Sequence, residues 1–364
     1  MRIEVVSFTG NSGLADYAVS LANRLHVHAQ TTLVTATSLP GFFDTLGFPV
    51  VRVFRRSRHY PLDVLRYFVG VLRRRPDMIV HQGPLKLAWL DGVLVRLIRL
   101  FGMRAAVTVH DVLPHYPTRW SAAEYGFYYR SFDKVIVHSE AARQGVKQLG
   151  ISVPILVVPH GAYDVFRLTG VTREDARRRI GVNVDDFLVL FFGHLEPRKG
   201  LMEFIEVAQR LHAVPHLKFV IAGGNDMAHH GAAYQMALES AKAMSNVRVR
   251  DERIPFEEVE NYFAASDLVA LPYREGTTSG VLKLAVAFEV PVVASRVGDL
   301  PEQVPPEGGL LIDADENMAA ALAAAVIEVV TTPERFHGGM RVAAQACDWK
   351  PIAQSYFDFL STKA

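Results

Sequence analysis

The stretch Leu271–Glu302, LPYREGTTSGVLKLAVAFEVPVVASRVGDLPE, contains a strand end, a loop, a helix, a second strand and a second loop. The apolar run Leu268–Leu271 stops at Pro272, and Thr277-Thr278-Ser279-Gly280 opens the next segment. There Val281, Leu282, Ala285 and Phe288 fall on one helical face. Pro291-Val292-Val293-Ala294 restarts an extended run that Gly298 and Pro301 break. Small residues at a helix start have two uses. Their side-chain oxygens cap the helix, which is the commoner role. Alternatively, the exposed N–H groups and the positive dipole end receive a phosphate or diphosphate.

The same alternation runs through the rest of the chain. Phe187–Phe192 is an apolar strand ending in Gly193-His194-Leu195-Glu196-Pro197-Arg198-Lys199-Gly200. Helices are expected over 201–211, 232–244 and 256–265, with strands over 218–222 and 247–250 between them. A charged connector from Asp164 to Gly181 holds a short helix over 172–180. An alanine-rich helix over 316–330 and a terminal helix over 349–360 complete this half. Upstream, strands are expected at 3–8, 31–35, 50–54, 78–81, 105–109, 135–138 and 155–158. Two basic helices, 61–75 and 88–101, stand among them. The first strand meets its helix through Thr9-Gly10-Asn11-Ser12-Gly13, which is not a dinucleotide fingerprint. His110-Asp111 ends the strand 105–109, where parallel sheets place their ligands. A lone histidine there would more often be structural. The pattern predicts the α/β class, with two doubly wound, Rossmann-like domains, 1–163 and 164–346, facing a cleft.

Composition narrows the classes. The chain has 364 residues, half of them hydrophobic, which is enough for two well-filled cores. A lone cysteine, Cys347, excludes an internal disulfide framework and suits a cytoplasmic location. Arg2-Ile3-Glu4-Val5-Val6 begins a strand almost at once, so no signal peptide is expected, and no apolar run is long enough to span a bilayer. The net charge of +1 hides an asymmetry. Residues 1–163 hold 19 Lys/Arg against 10 Asp/Glu, whereas 164–346 hold 18 against 26. Basic residues concentrate in 51–104, beside Trp89, Leu90, Leu97 and Phe101. That segment reads either as a solvated helix face or as a surface for anionic lipid at the inner face of a membrane. No recognition motif accompanies the charge, so nucleic acid is not an expected partner.

Six places together resemble the GT-B-fold glycosyltransferases of the family 4 type, retaining enzymes that use nucleotide-sugar donors. They are Ser12-Gly13, Thr108-Val109-His110-Asp111, Val137-His138-Ser139-Glu140, Val158-Pro159-His160-Gly161, the block 192–200, and the opening stretch. The resemblance implies GT-B architecture, with 347–364 crossing back onto the first domain. It implies that Lys199 holds the donor diphosphate, with Arg198 and His194 near it, and that Thr278, Ser279 and Gly280 meet phosphate or sugar, with Val281 beside them. Gly13 would let its loop approach donor and acceptor, and His110 would contact the transferred sugar.

One departure stands out. Counting back from Pro291, the family's two glutamates would fall at 276 and 284, where this chain has Gly276 and Leu284. Glu275 is one residue from the first position and is the candidate to serve in its place.

No DxD-like pair ends a strand, so neither a catalytic metal nor any cofactor besides the donor is expected. The expected acceptor is a hydroxyl of a glycan or lipid-linked molecule in cell-surface polysaccharide or glycolipid synthesis. The alternatives are a non-catalytic nucleotide-sugar-binding subunit and a GT-B-fold nucleotide-sugar epimerase.

Overall fold

The computed structural model describes residues 1–55, 57–114, 117–224, 231–276 and 279–362. The chain forms two compact units, Met1–Gly161 with Cys347–Ala364, and Ala162–Ala346.

Unit 1 contains β1 (Arg2–Val6), α1 (Gly13–Leu25), β2 (Gln30–Ala36), β3 (Val50–Phe54), α2 (Tyr60–Arg74) and β4 (Met78–Gln82). These are followed by α3 (Ala88–Leu100), β5 (Arg104–Val109), α4 (Ser121–Tyr129), β6 (Lys134–Val137), α5 (Glu140–Gln148) and β7 (Ile155–Val157). Its strands pair in parallel in the order β3-β2-β1-β4-β5-β6-β7. The direction of winding reverses between β1 and β4. The crevice beyond their C-terminal ends is the switch point, where doubly wound sheets bind ligands.

Unit 2 contains α6 (Arg173–Ile180), β8 (Phe187–Phe192), α7 (Leu201–Arg210), β9 (Leu217–Ala222), α8 (Ala232–Lys242), β10 (Val247–Arg250) and α9 (Phe256–Ala265). It continues with β11 (Leu268–Leu271), α10 (Gly280–Ala287), β12 (Val292–Ser295), α11 (Leu300–Gln303), β13 (Gly309–Ile312), α12 (Met318–Thr331) and α13 (Pro333–Ala346). The sheet is again parallel, in the order β10-β9-β8-β11-β12-β13. Its switch point lies between β8 and β11, the two strands that lead into Gly193–Gly200 and Pro272–Ser279. Both faces are covered by helices, so β8 and β11 are apolar almost throughout rather than alternating.

The terminal helix α14 (Trp349–Ser361) belongs to unit 1. Its Tyr356 hydroxyl lies 2.9 Å from that of Tyr17 and 3.1 Å from Thr108 Oγ1. The buried Lys134 donates to the Thr362 carbonyl oxygen at 2.7 Å, placing a cation at the negative end of α14.

Several elements differ from the sequence reading. The unit boundary falls at 161/162 rather than 163/164, because Tyr163 packs on Phe166 and lies beside Gly280 in unit 2. Three helices (α4, α11 and α13) and the strand β13 were not anticipated. Glycine pairs sit within α13 and at the start of β13. Gly339 stands where a Cβ would lie 2.3 Å from the Glu307 backbone, so close packing decides its place rather than propensity.

Candidate active site

In unit 2 the loops that leave β8 and β11 are pressed together. Gly200 has φ +74°, and a Cβ there would stand 1.8 Å from the Pro272 carbonyl oxygen. Only glycine fits this position, both for conformation and for space. The Arg198 carbonyl accepts from the Arg274 and Glu275 backbone N–H groups at 2.8 and 3.3 Å. The Arg274 guanidinium pairs with the Glu203 carboxylate. Behind them, a Cβ at Gly223 would lie 1.6 Å from the Gly193 carbonyl oxygen, so the ends of β8 and β9 are equally close.

This packing sets the position of Lys199, the last residue of a 3₁₀ turn over Pro197–Lys199. Its Nζ lies 3.8 Å from the centroid of the Tyr273 ring. A lysine over a tyrosine face gains about 0.5–2 kcal/mol, according to how dry the site is. Burial, with a smaller contribution from the neighbouring Arg198 charge, lowers the Lys199 pKa from its usual value to about 8, against the pull of Glu196. The Tyr273 hydroxyl is pushed up to about 12, chiefly by burial, and lies 3.0 Å from Ser279 Oγ. Ser279 is buried and caps α10, its Oγ accepting from the Leu282 N–H at 3.3 Å. Lys199, Tyr273 and the start of α10 thus form one contiguous group at the switch point.

The remaining expected residues fall around this group unevenly. Gly280 and Val281 open α10, and Val281 Cγ2 faces Gly193 at the β8 end. His194 lies in the same β8 loop, its carbonyl accepting from Glu196 N–H at 3.1 Å. Arg198 is half exposed and paired with Glu196. Glu275 is exposed. Thr278 lies outside the described residues. Leu284 is buried in the apolar side of α10, so that position is part of the core. Tyr273 was missed by the sequence reading. Its signal was an aromatic residue right after the proline that ends β11.

In unit 1, Gly13 is exposed at the first turn of α1, which Ser12 caps. His110 follows β5, with Nε2 3.3 Å from Gln82 Oε1 and its ring edge-on to Tyr17 at 4.7 Å between centroids. Burial, and then the proximity of His138, hold the His110 pKa well below the usual histidine value, so its imidazole is neutral near pH 7. His138 and His160, quoted only as motif residues from the sequence, lie beside it.

The basic helices divide their arginines. Arg74 pairs with Glu4, Arg99 pairs with Asp133, and Arg96 lies 4.3 Å from the Phe127 ring. These are structural contacts rather than a free basic surface. Arg58, Arg73 and Arg75 are exposed, as is Arg66, which lies 3.5 Å from the Asp63 carboxylate; Leu62, Leu65, Trp89, Leu97, Leu100 and Phe101 are exposed as well. Among the described residues no helix is long and apolar enough to cross a membrane.

Two parallel α/β units, each with a reversal of strand order at the centre of its sheet, are the two halves of the GT-B class of folds. Comparison with known proteins agrees. Residues 12–161 match the glycosyl transferase 4-like domain, and 186–332 match the glycosyl transferases group 1 family. The chain belongs to the GT-B glycosyltransferases of the family 4 type. It is 34% identical over 166 residues to a D-inositol 3-phosphate glycosyltransferase of Corynebacterium efficiens, covering 44% of this chain and 39% of that protein. It is 30% identical over 128 residues to a putative teichuronic acid biosynthesis glycosyltransferase of Bacillus subtilis, covering 35% and 29%. The chain thus spans less than half the length of these curated relatives. The structure of Anabaena HepE in complex with UDP-glucose superposes with a TM-score of 0.73 at 18% identity, covering 99% of both chains.

Proposed function

We propose that this chain is a retaining glycosyltransferase that moves a sugar from a nucleoside diphosphate donor to a hydroxyl of a glycan or lipid-linked acceptor. The observation that carries the reading is the group at the unit 2 switch point: a half-buried lysine ammonium over the Tyr273 ring, whose hydroxyl reaches the Ser279 cap of α10. Departure of the diphosphate develops negative charge on oxygen, and a fixed cation with oriented N–H groups in a dry site stabilises it. His194 and Arg198 flank Lys199 for the same anion, and Gly280 and Val281 present the helix start. In unit 1, His110 is assigned to the transferred sugar and Gly13 to the acceptor-side loop.

Retention by double displacement would need a carboxylate at the reacting carbon. Glu275 and Asp111 are the candidates, and Glu275 is exposed. We favour attack on the face from which the phosphate leaves, the phosphate oxygen taking the acceptor proton. No catalytic metal is needed for that step.

A second reading is supported by Leu284. A buried leucine stands where the family resemblance places a ribose-binding carboxylate, which suits a subunit that binds donor without turning it over. Release of nucleoside diphosphate by the isolated chain, in the presence of acceptor glycans, supports the transferase. Binding without release supports the subunit.

The exposed arginines and apolar side chains of α2 and α3 suit the inner face of an anionic membrane, near a lipid-linked acceptor. Sedimentation with vesicles is expected to carry down the chain when anionic lipid is present and to leave it in the supernatant with neutral lipid. The Arg66→Glu, Arg73→Glu double variant should remain in the supernatant with both. Equal partitioning of the wild-type chain into both vesicle types removes the membrane from the account.

A further inference from the structure

The three strands β5, β6 and β7 are consecutive neighbours in the unit 1 sheet, and each leads into a histidine. Val109 is in register with Val137, and Val137 with Val157. His110 and His138 therefore leave their strands side by side, and His160 follows β7 by three residues. One ring nitrogen from each of the three lies within 4.8 Å of the others, a group of three ligands without equal among the described residues. The ring centroids are 4.8–5.8 Å apart. Tyr17 packs against all three rings, at 4.7–5.2 Å.

Each imidazole also faces a carbonyl oxygen through one of its ring nitrogens. His138 Nδ1 is 3.3 Å from the Val158 oxygen, His160 Nδ1 is 2.8 Å from the Gly161 oxygen, and His110 Nε2 is 3.3 Å from Gln82 Oε1. A carbonyl only accepts, so those nitrogens carry the protons. The opposite nitrogen of each ring then carries the lone pair. Metal-binding histidines are held in the same way, by a hydrogen bond that fixes tautomer and ring orientation.

We propose that His110, His138 and His160 form a three-histidine site for a divalent transition ion of the Zn²⁺, Co²⁺ or Ni²⁺ type. Three neutral nitrogen ligands suit such ions, whereas Mg²⁺ and Ca²⁺ require oxygen. Metal–nitrogen bonds of about 2.0–2.1 Å in a tetrahedron separate ligand nitrogens by roughly 3.3 Å. The widest pair must therefore close by about 1.5 Å, which side-chain rotation of the three rings supplies. Three protein ligands leave a fourth position open. The ion would tie together the ends of three strands. The inference does not depend on the transfer reaction, because its readout is metal binding.

The test is titration of the metal-free, untagged chain with Co²⁺, followed by visible absorbance, and then by Zn²⁺ in competition. The expected result is a saturable spectrum of low-coordinate Co²⁺ that Zn²⁺ abolishes and Mg²⁺ leaves unchanged. His138→Gln and His160→Gln should each weaken binding by at least about tenfold, the order seen when a metal site is disturbed. Circular dichroism of each metal-free variant establishes that it is folded. For a variant that is not, X-ray absorption of the Zn²⁺-loaded wild-type chain replaces it, and three imidazole ligands are expected. Absence of saturable Co²⁺ or Zn²⁺ uptake, uptake that survives both substitutions, or a zinc shell lacking these imidazoles overturns the proposal.

Discussion

Replacing Lys199 with alanine is expected to lower turnover with a nucleotide-sugar donor by ~10²–10³, the effect of removing one charge-stabilising donor from a site of this kind. The loss should appear in kcat as well as kcat/KM, because the ammonium matters most when the diphosphate leaves. The side chain lies over Tyr273, close to the start of α10, and burial has already removed much of its hydration. A retained charge there is therefore worth more than one in water. The same burial gives the direction of the pH dependence. Lys199 is depressed to about 8, so the free protein holds the ammonium below that pH and loses it above. Accordingly kcat/KM for the donor should fall as pH rises through about 8, approaching tenfold per unit. A Lys199→Ala variant with near-normal turnover, or a profile flat well beyond pH 8 that Lys199→Ala leaves unaltered, contradicts the assignment.

The second large effect is structural. Arg177 is 1% exposed and is the first of the run Arg177-Arg178-Arg179. Its guanidinium donates to the carbonyl oxygens of Ala265 (3.0 Å), Asn183 (3.3 Å), Val184 (2.5 Å) and Asp186 (2.6 Å), and to the Asp267 carboxylate at 2.5 Å. Asp267 also accepts from the Leu188 N–H at 2.7 Å. The group therefore joins the N-terminal ends of β8 and β11, whose other ends carry the Lys199 and Tyr273 loops. Without Arg177, Asp267 keeps only the half-exposed Arg173 as its cation, and four carbonyl oxygens lose a buried charged donor; removing one member of a buried pair typically costs about 3–5 kcal/mol. Arg177→Ala should destabilise unit 2 by about that amount in denaturant unfolding, followed by a probe in that unit. Arg178→Ala, one residue along and exposed, should change stability by less than about 0.5 kcal/mol. Equal effects of the two would mean that the Arg177 network does not carry this load.

The contrast between these two residues shows what a sequence can convey. Lys199 was legible as a candidate because its position depends on local order: a strand, a glycine, a short turn and a helix, all within one stretch. The alternation of strand and helix was legible for the same reason, since each βαβ unit writes its own periodicity. Arg177 was not legible. Its partner Asp267 is 90 residues away, and a run of three arginines on a charged connector reads as a solvated face. Leu284 lies between these cases. Counting from Pro291 showed that the expected carboxylate was missing, but only packing showed that the position belongs to the core. Tyr273 and the clustering of His110, His138 and His160 escaped because their meaning lies in sheet order, which brings strand ends together that are 20 or more residues apart.

The central claim is that unit 2 holds a nucleoside diphosphate sugar at its switch point through Lys199. The most direct measurement is thermal denaturation of the wild-type chain and Lys199→Ala across a panel of nucleoside diphosphate sugars. A donor present at ~100 times its dissociation constant stabilises the protein that binds it by about 2.7 kcal/mol. The account predicts a marked upward shift with one donor or a small group of them, absent or strongly reduced in Lys199→Ala. No shift with any member of the panel, or an equal shift in the variant, would contradict it.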